Sequence, residues 1–387
     1  MTNAIIQGDV LEWALEDAGV DRQAVLTGLH LARRGPLNEH LSGPISVPLD
    51  VLKQIAEITH RSAYFFALPH PPEERRKSVK QNFRAPSSND GTPRQLNPEE
   101  RAAVRLANRR QEIASKLSRD LNAKPVDLAK VIANNSSPER AAESAATWLQ
   151  WDRRQQYTVL KSKNKVFVAL RQALESRGIM TNLVAVEGDS FRGFSLHHDY
   201  APLIFINASV KSPASRSFTL LHELAHLMRG TDKACDRTDL QSRSSEESWC
   251  NRFAAAFLLP ASDLSRYLEK NLKQTSVPAG DTYALKRISN YFKVSWYCAA
   301  IRLKELGYAD NRLVDSVSGD FQDPEEQGRA PGKTRAEIRV TEYGYRFARL
   351  FGSALSEAKV SQLEARKLFR LNGAELDQLI KLGRGAD

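Results

Sequence analysis

A chain of 387 residues, 26% charged and 41% hydrophobic, exceeds one ordinary domain of roughly 100 to 200 residues, so two or three globular cores are expected. Its apolar runs fall far short of the ~20 residues that cross a bilayer, MTNAIIQGDVLEW carries no export signal, and three cysteines without a CxxC pair argue against a disulfide scaffold or a cysteine zinc knuckle. A cytoplasmic protein with no membrane partner is expected, whose net charge of +10 favours loose contact with nucleic acid, a solvated basic surface being the alternative.

In chain order, GDVLEWALEDA places Val10, Leu11, Ala14, Leu15 and Ala18 on one helical face, and Gly19 offers the stop. A second helix is predicted from Pro48 to Thr59, with RRGPLNEHLSGP broken by Gly and Pro between the two. The apolar cluster Tyr64 to Leu68 ends at PHPPEERRK, and RAPSSNDGTPRQL (84 to 96) reads as a linker. A long helix follows, with Pro98 in its first turn and Glu99 and Glu100 near its positive end.

From Lys165 a helix runs through Leu174, Gly178 stops it, and the runs TNLVAV, FRGFSL and PLIFIN read as a small sheet. Helical periodicity returns in RSFTLLHELAHLMRG and again from Glu246 to Leu259, where Pro260 ends it. After Pro278, LKRISNYFKVSWYCAAIRLKELGY reads as a helix, a turn at Lys293 to Ser295, and a helix. SVSGDFQDPEEQGRAPGK (316 to 333) is a second linker, and two amphipathic helices are predicted between Tyr343 and Leu382. The fold class expected is α+β and mostly helical, with a small-sheet core flanked by helical N- and C-terminal domains.

The chemistry concentrates in LLHELAHL. His222 and His226, four apart on a helix, send both imidazoles from one face one turn apart, the spacing that holds one zinc ion. Glu223 then stands beside the metal's open position as general base. The alternative is a pair of buried histidines satisfied by neighbours. Catalytic zinc usually takes three protein ligands plus water, so a third must come from elsewhere. In EESWCNRFAAAFLLP, helical phase favours Glu247, with Glu246 as rival, and a solvated first-turn glutamate as the plain alternative for either. Asn251, four residues on, is placed to reach the second nitrogen of a ligating imidazole.

The segments PLIFIN, RSFTLLHELAHL and EESWCNRFAAAFLLP, in this order and spacing, resemble the ImmA/IrrE metallopeptidases. The resemblance implies zinc held by His222, His226 and Glu247, with Glu223 as base. Cys250 stands where that family commonly has alanine. Upstream, VLEWALEDAG, PLDVLKQIA, YFFALP and NFRAP resemble the Cro/repressor-type helix-turn-helix module often fused to such peptidases. RRGPLNEHLSGP departs from it by lacking a clean recognition helix, which leaves a packing or dimerisation role beside DNA binding.

The organisation expected is a degenerate helix-turn-helix module over 1–75, a linker and helical connector over 76–160, the zinc peptidase domain over 161–275, a helical segment over 276–315 and a C-terminal helical region over 334–387. The function implied is an endopeptidase that cleaves a helix-turn-helix repressor and so induces stress-response or mobile-element genes. The competing reading is a DNA-binding regulator or antitoxin-like protein with structural zinc; the intact Glu223 speaks for the enzyme. His197, His198, Tyr200 and Tyr267 are the candidates for an oxyanion donor.

Overall fold

Asn3–Gln7 (β1) pairs antiparallel with Pro44–Pro48 (β2), Ala4 opposite Val47 and Ile6 opposite Ile45. The computed structural model describes residues 3–20, 25, 43–72, 96–132, 137–187, 191–230, 234–235, 245–317 and 332–385. By the clustering of its contacts the chain forms two units, one of residues 1–109 with 186–191 and one of 110–185 with 192–387.

In the first unit, Gly8–Ala18 (α1) and Leu49–Ile58 (α2) follow directly on the two strands. Gly19 ends α1 in the left-handed region at φ 67°, the geometry glycine adopts without steric cost. Ile6, Val10, Leu11, Leu15, Val47, Leu52, Ile55 and Phe66 close a shared core. Both helices expected in this segment are present, and β1 and β2 add a two-stranded ribbon that was not expected. NAIIQ and PISVP are five-residue runs carrying β-branched residues, too short for a periodicity to register, and their partners lie some forty residues apart. Most of RRGPLNEHLSGP, and the linker 84 to 96 apart from Leu96, lie outside the described residues.

The long helix Pro98–Asp120 (α3) contributes residues to both units. Asn97 and Glu100 begin it by exchanging backbone-to-side-chain hydrogen bonds of 2.8 and 2.9 Å, a capping arrangement that satisfies otherwise unbonded N–H groups.

The second unit contains Pro138–Leu149 (α4) and Lys163–Ser176 (α5), then a sheet ordered β3-β5-β4-β6 from Met180–Val184 (β3), Gly193–Leu196 (β4), Leu203–Asn207 (β5) and Ala234–Cys235 (β6). β3 runs parallel to β5, and β4 is antiparallel to both β5 and β6. Pro213–Arg229 (α6) packs on β4 at Gly193, where an added Cβ would stand 2.7 Å from the Phe205 carbonyl oxygen and from the Thr219 methyl. Glycine there lets the helix approach the strand.

Ser245–Leu258 (α7) and Ala261–Tyr267 (α8) follow, then Thr282–Phe292 (α9), Trp296–Glu305 (α10) and Asn311–Ser316 (α11). Lys293, at φ 61°, and the Ser295 cap make the turn between α9 and α10. One apolar cluster runs from Leu128 to Val317 and takes in Ile204, Leu224, Phe253, Phe257 and Phe292. The ranges 161–275 and 276–315 therefore share a core.

The tail holds Arg335–Tyr343 (α12), Tyr345–Ser356 (α13), Gln362–Phe369 (α14) and Gly373–Arg384 (α15). Three helices, not two, lie beyond Tyr343. Ser361 with Glu364, and Asn372 with Glu375, form capping boxes that restart the helix each time. No helix among the described residues is long and apolar enough to cross a membrane.

Candidate metal centre

Local sequence sets the limits of α6. The Ser212 hydroxyl accepts from the Ser215 amide, Pro213 occupies the first turn, and Gly230 ends the helix at φ 67°. Every residue from Ser217 to Met228 is buried, so the helix passes through the interior and carries His222, Glu223 and His226 with it. Burying polar side chains in this way is costly unless they meet partners or a metal. On α7 burial begins at Cys250, while Ser245 to Trp249 keep some exposure. The Glu247 side chain is 23% exposed against 2% and 0% for the two histidines, so the centre meets solvent at the start of α7.

His222 Nε2 and His226 Nε2 stand 3.1 Å apart. Glu247 reaches both, with Oε2 3.2 Å from His222 Nε2 and Oε1 3.5 Å from His226 Nε2. These separations bear directly on metal fit. Tetrahedral zinc with nitrogen and oxygen ligands at about 2.0 to 2.1 Å has ligand-to-ligand edges of about 3.3 to 3.4 Å. The two imidazole nitrogens stand near one such edge, the Glu247 carboxylate straddles them with one oxygen toward each, and one donor atom from each of the three residues lies within 4.8 Å of the others, so the donor set suits zinc. Burial alone would raise the Glu247 carboxyl; hydrogen bonds and charge attraction from His222 and His226 outweigh it and hold the group well below the usual carboxylate range. A carboxylate so favoured could serve as a metal ligand.

Asn251 is buried at 3% exposure, one turn after Glu247, and Glu246 is half-buried beside it. Cys250, at a position where alanine is common in the family this chain resembles, carries a contact to the site: its Sγ lies 3.8 Å from His226 Nδ1. Burial, followed by Glu247, Glu223 and Glu246, pushes this thiol well up, so it remains neutral. The available signal was its position three residues after Glu247, which puts both on one helical face.

The four oxyanion candidates are distributed differently. His198 accepts from the Tyr200 amide at Nδ1 (3.0 Å), and its Nε2 lies 3.0 Å from Ser115 Oγ. The Tyr267 hydroxyl donates to the Arg287 carbonyl at 3.4 Å, and its ring packs 4.4 Å from Tyr291. His197 is exposed and Tyr200 half-buried. Among the described residues, His198 bonds to Ser115 and Tyr200, and Tyr267 to Arg287 with Tyr291 and Phe292 against its ring.

Residues 174–304 match the family model described as the IrrE N-terminal-like domain (Peptidase_M78). The matched stretch runs from the end of α5 into α10 and contains all of α6 and α7. It supports relationship to the ImmA/IrrE family over this segment, and a metallopeptidase-type function. A comparison with curated proteins finds no match.

Proposed function

We propose that the chain is a zinc-dependent endopeptidase and that its substrate is a helix-turn-helix transcriptional repressor, cleaved to release stress-response or mobile-element genes. The observation that carries the catalytic part is the group of His222 Nε2 and His226 Nε2, 3.1 Å apart, with one Glu247 oxygen 3.2 Å from the first and the other 3.5 Å from the second, and with Glu223 next to the first histidine on the same buried helix. The substrate class rests on the resemblance of the α6 and α7 segments to the ImmA/IrrE peptidases.

When bound, zinc supplies Lewis acidity that makes water more acidic and polarises a peptide carbonyl. The remaining work belongs to the chain. His222 and His226 offer their Nε2 lone pairs, and Glu247 adds an ionised oxygen from α7. Glu223 takes the proton from the attacking water and returns it to the departing amine, one carboxylate serving as base and then acid. Its full burial keeps bulk water from competing for that proton and strengthens the local electrostatics. The partly exposed Glu247 marks the side from which a peptide enters.

The test is co-expression of the chain, or its Glu223→Gln variant, with repressors from its own genome, followed by mass spectrometry of fragments. The amide keeps size and metal but cannot accept the proton, and general-base assistance contributes about 10² to 10⁴-fold. Fragments with the parent and none with the variant are expected. Fragments of equal yield from both would overturn the assignment of Glu223.

A further inference from the structure

We propose that the Cys250 sulfur is a positioning group for His226, holding the ring so that Nε2 faces the metal. This rests on the metal-centre reading above and extends it to a residue outside the ligand set.

A neutral imidazole carries one proton, so a ring whose Nε2 lone pair goes to a metal must be protonated at Nδ1. That N–H needs an acceptor, and in metal sites such acceptors set both tautomer and ring angle. In this protein Nε2 of His226 lies within 3.1 to 3.5 Å of the other two ligand atoms, so Nδ1 is the nitrogen turned away. Cys250 Sγ lies 3.8 Å from it, within reach of an N–H···S hydrogen bond. Cys250 follows Glu247 by three residues on α7, so one helical face addresses both sides of the same imidazole: the Glu247 carboxylate beside Nε2 and the Cys250 sulfur beside Nδ1. Placement of the third ligand and orientation of the second are thereby coupled through α7. At 0% exposure, the sulfur meets no bulk water that would take its place as acceptor.

Cys250→Ala and Cys250→Ser separate positioning from packing, because the two roles order these variants oppositely. If the residue only fills space, alanine is tolerated at least as well as serine, whose hydroxyl is costly in an apolar setting. If it accepts from Nδ1–H, serine retains an acceptor and alanine does not. Zinc affinity is measured by competition with a chromophoric chelator, melting temperatures of the metal-free proteins report the fold separately, and absorption of the cobalt(II) forms reports ligand geometry. We expect Cys250→Ala to weaken zinc binding by about 10- to 100-fold and to shift the cobalt bands, with Cys250→Ser recovering most of the affinity. Should the serine variant not fold, affinity and cobalt spectrum of the alanine variant decide alone. Alanine binding zinc as tightly as the parent with an unchanged cobalt spectrum, or serine binding no better than alanine, overturns the proposal. If the parent binds zinc and His222→Ala abolishes it while Cys250→Ala has no effect, only the positioning role falls. If the parent binds no zinc, the metal-centre reading falls and this one with it.

Discussion

The guanidinium of Arg229 lies 4.7 Å above the Trp249 ring, joining the last turn of α6 to the first turns of α7 close to both ends of the ligand set. Trp249 also stacks on Phe253 at 5.7 Å. His226 is three residues before Arg229 and Glu247 two before Trp249, so the contact sets the spacing between the helices that carry them. A double-mutant cycle of Arg229→Ala and Trp249→Ala is expected to show a coupling of about 0.5 to 2 kcal/mol in urea unfolding. Either single variant should also bind zinc more weakly. Additive unfolding energies would show that the stacking contributes no stability.

Zinc content distinguishes ligand from neighbour. The parent should carry about one zinc per chain, and the His222→Ala/His226→Ala double variant none. Glu247→Ala should weaken binding sharply, because its carboxylate reaches both histidines, whereas Glu246→Ala should change it little. A zinc titration giving the reverse order for the two glutamates would move the ligand by one residue.

Gly344 joins α12 to α13 at φ 91° and ψ 153°, a backbone region essentially restricted to glycine. An added Cβ would also stand 2.6 Å from the Thr181 carbonyl oxygen and 2.8 Å from Glu175 Oε1. Neither the strand backbone nor the fully buried carboxylate has room to yield. Gly344→Ala should therefore cost about 2 to 5 kcal/mol, measured by urea denaturation. A loss below the usual surface-substitution scatter of ~0.5 kcal/mol would show that this junction relaxes.

Glu175 gives a pH dependence of defined sign. Burial raises its carboxyl and outweighs Arg171 at 3.7 Å, the Thr181 hydroxyl and the Arg346 amide at 3.0 Å, which all favour the charge. Between the ordinary glutamate value near ~4.3 and its raised folded value, the folded protein holds a proton that the unfolded chain has lost. This group therefore makes stability fall as pH rises through that window, with a slope of at most ~1.4 kcal/mol per pH unit. Metal-free parent and Glu175→Gln, unfolded in urea from pH 4 to 8, should separate through that window and run parallel, with a constant offset, above it. Curves parallel over the whole range would show that the carboxyl is not perturbed.

The amino-acid sequence by itself determined what depends on near neighbours. The interval between His222 and His226 dictates, on any α-helix, that both imidazoles leave one face, and Ser212, Pro213, Gly230 and Pro260 delimit α6 and α7 through capping and backbone geometry that need no distant partner. The runs that became β3, β4 and β5 were legible for the same reason. Long-range packing decided the rest. Pairing of β1 with β2 joins segments some forty residues apart, and no local propensity encodes that partner. The sharing of one core by α7, α9 and α10 was equally invisible, because an apolar face in sequence does not say which face it meets. Nothing local in the sequence tied Cys250 to His226; the crossing of α6 and α7 brings its sulfur to His226 Nδ1. Helical phase within α7 favoured Glu247 over Glu246 from the sequence, but only the packing of α7 against α6 brings the Glu247 carboxylate to 3.2 Å from His222 Nε2, because that approach depends on how two distant segments cross.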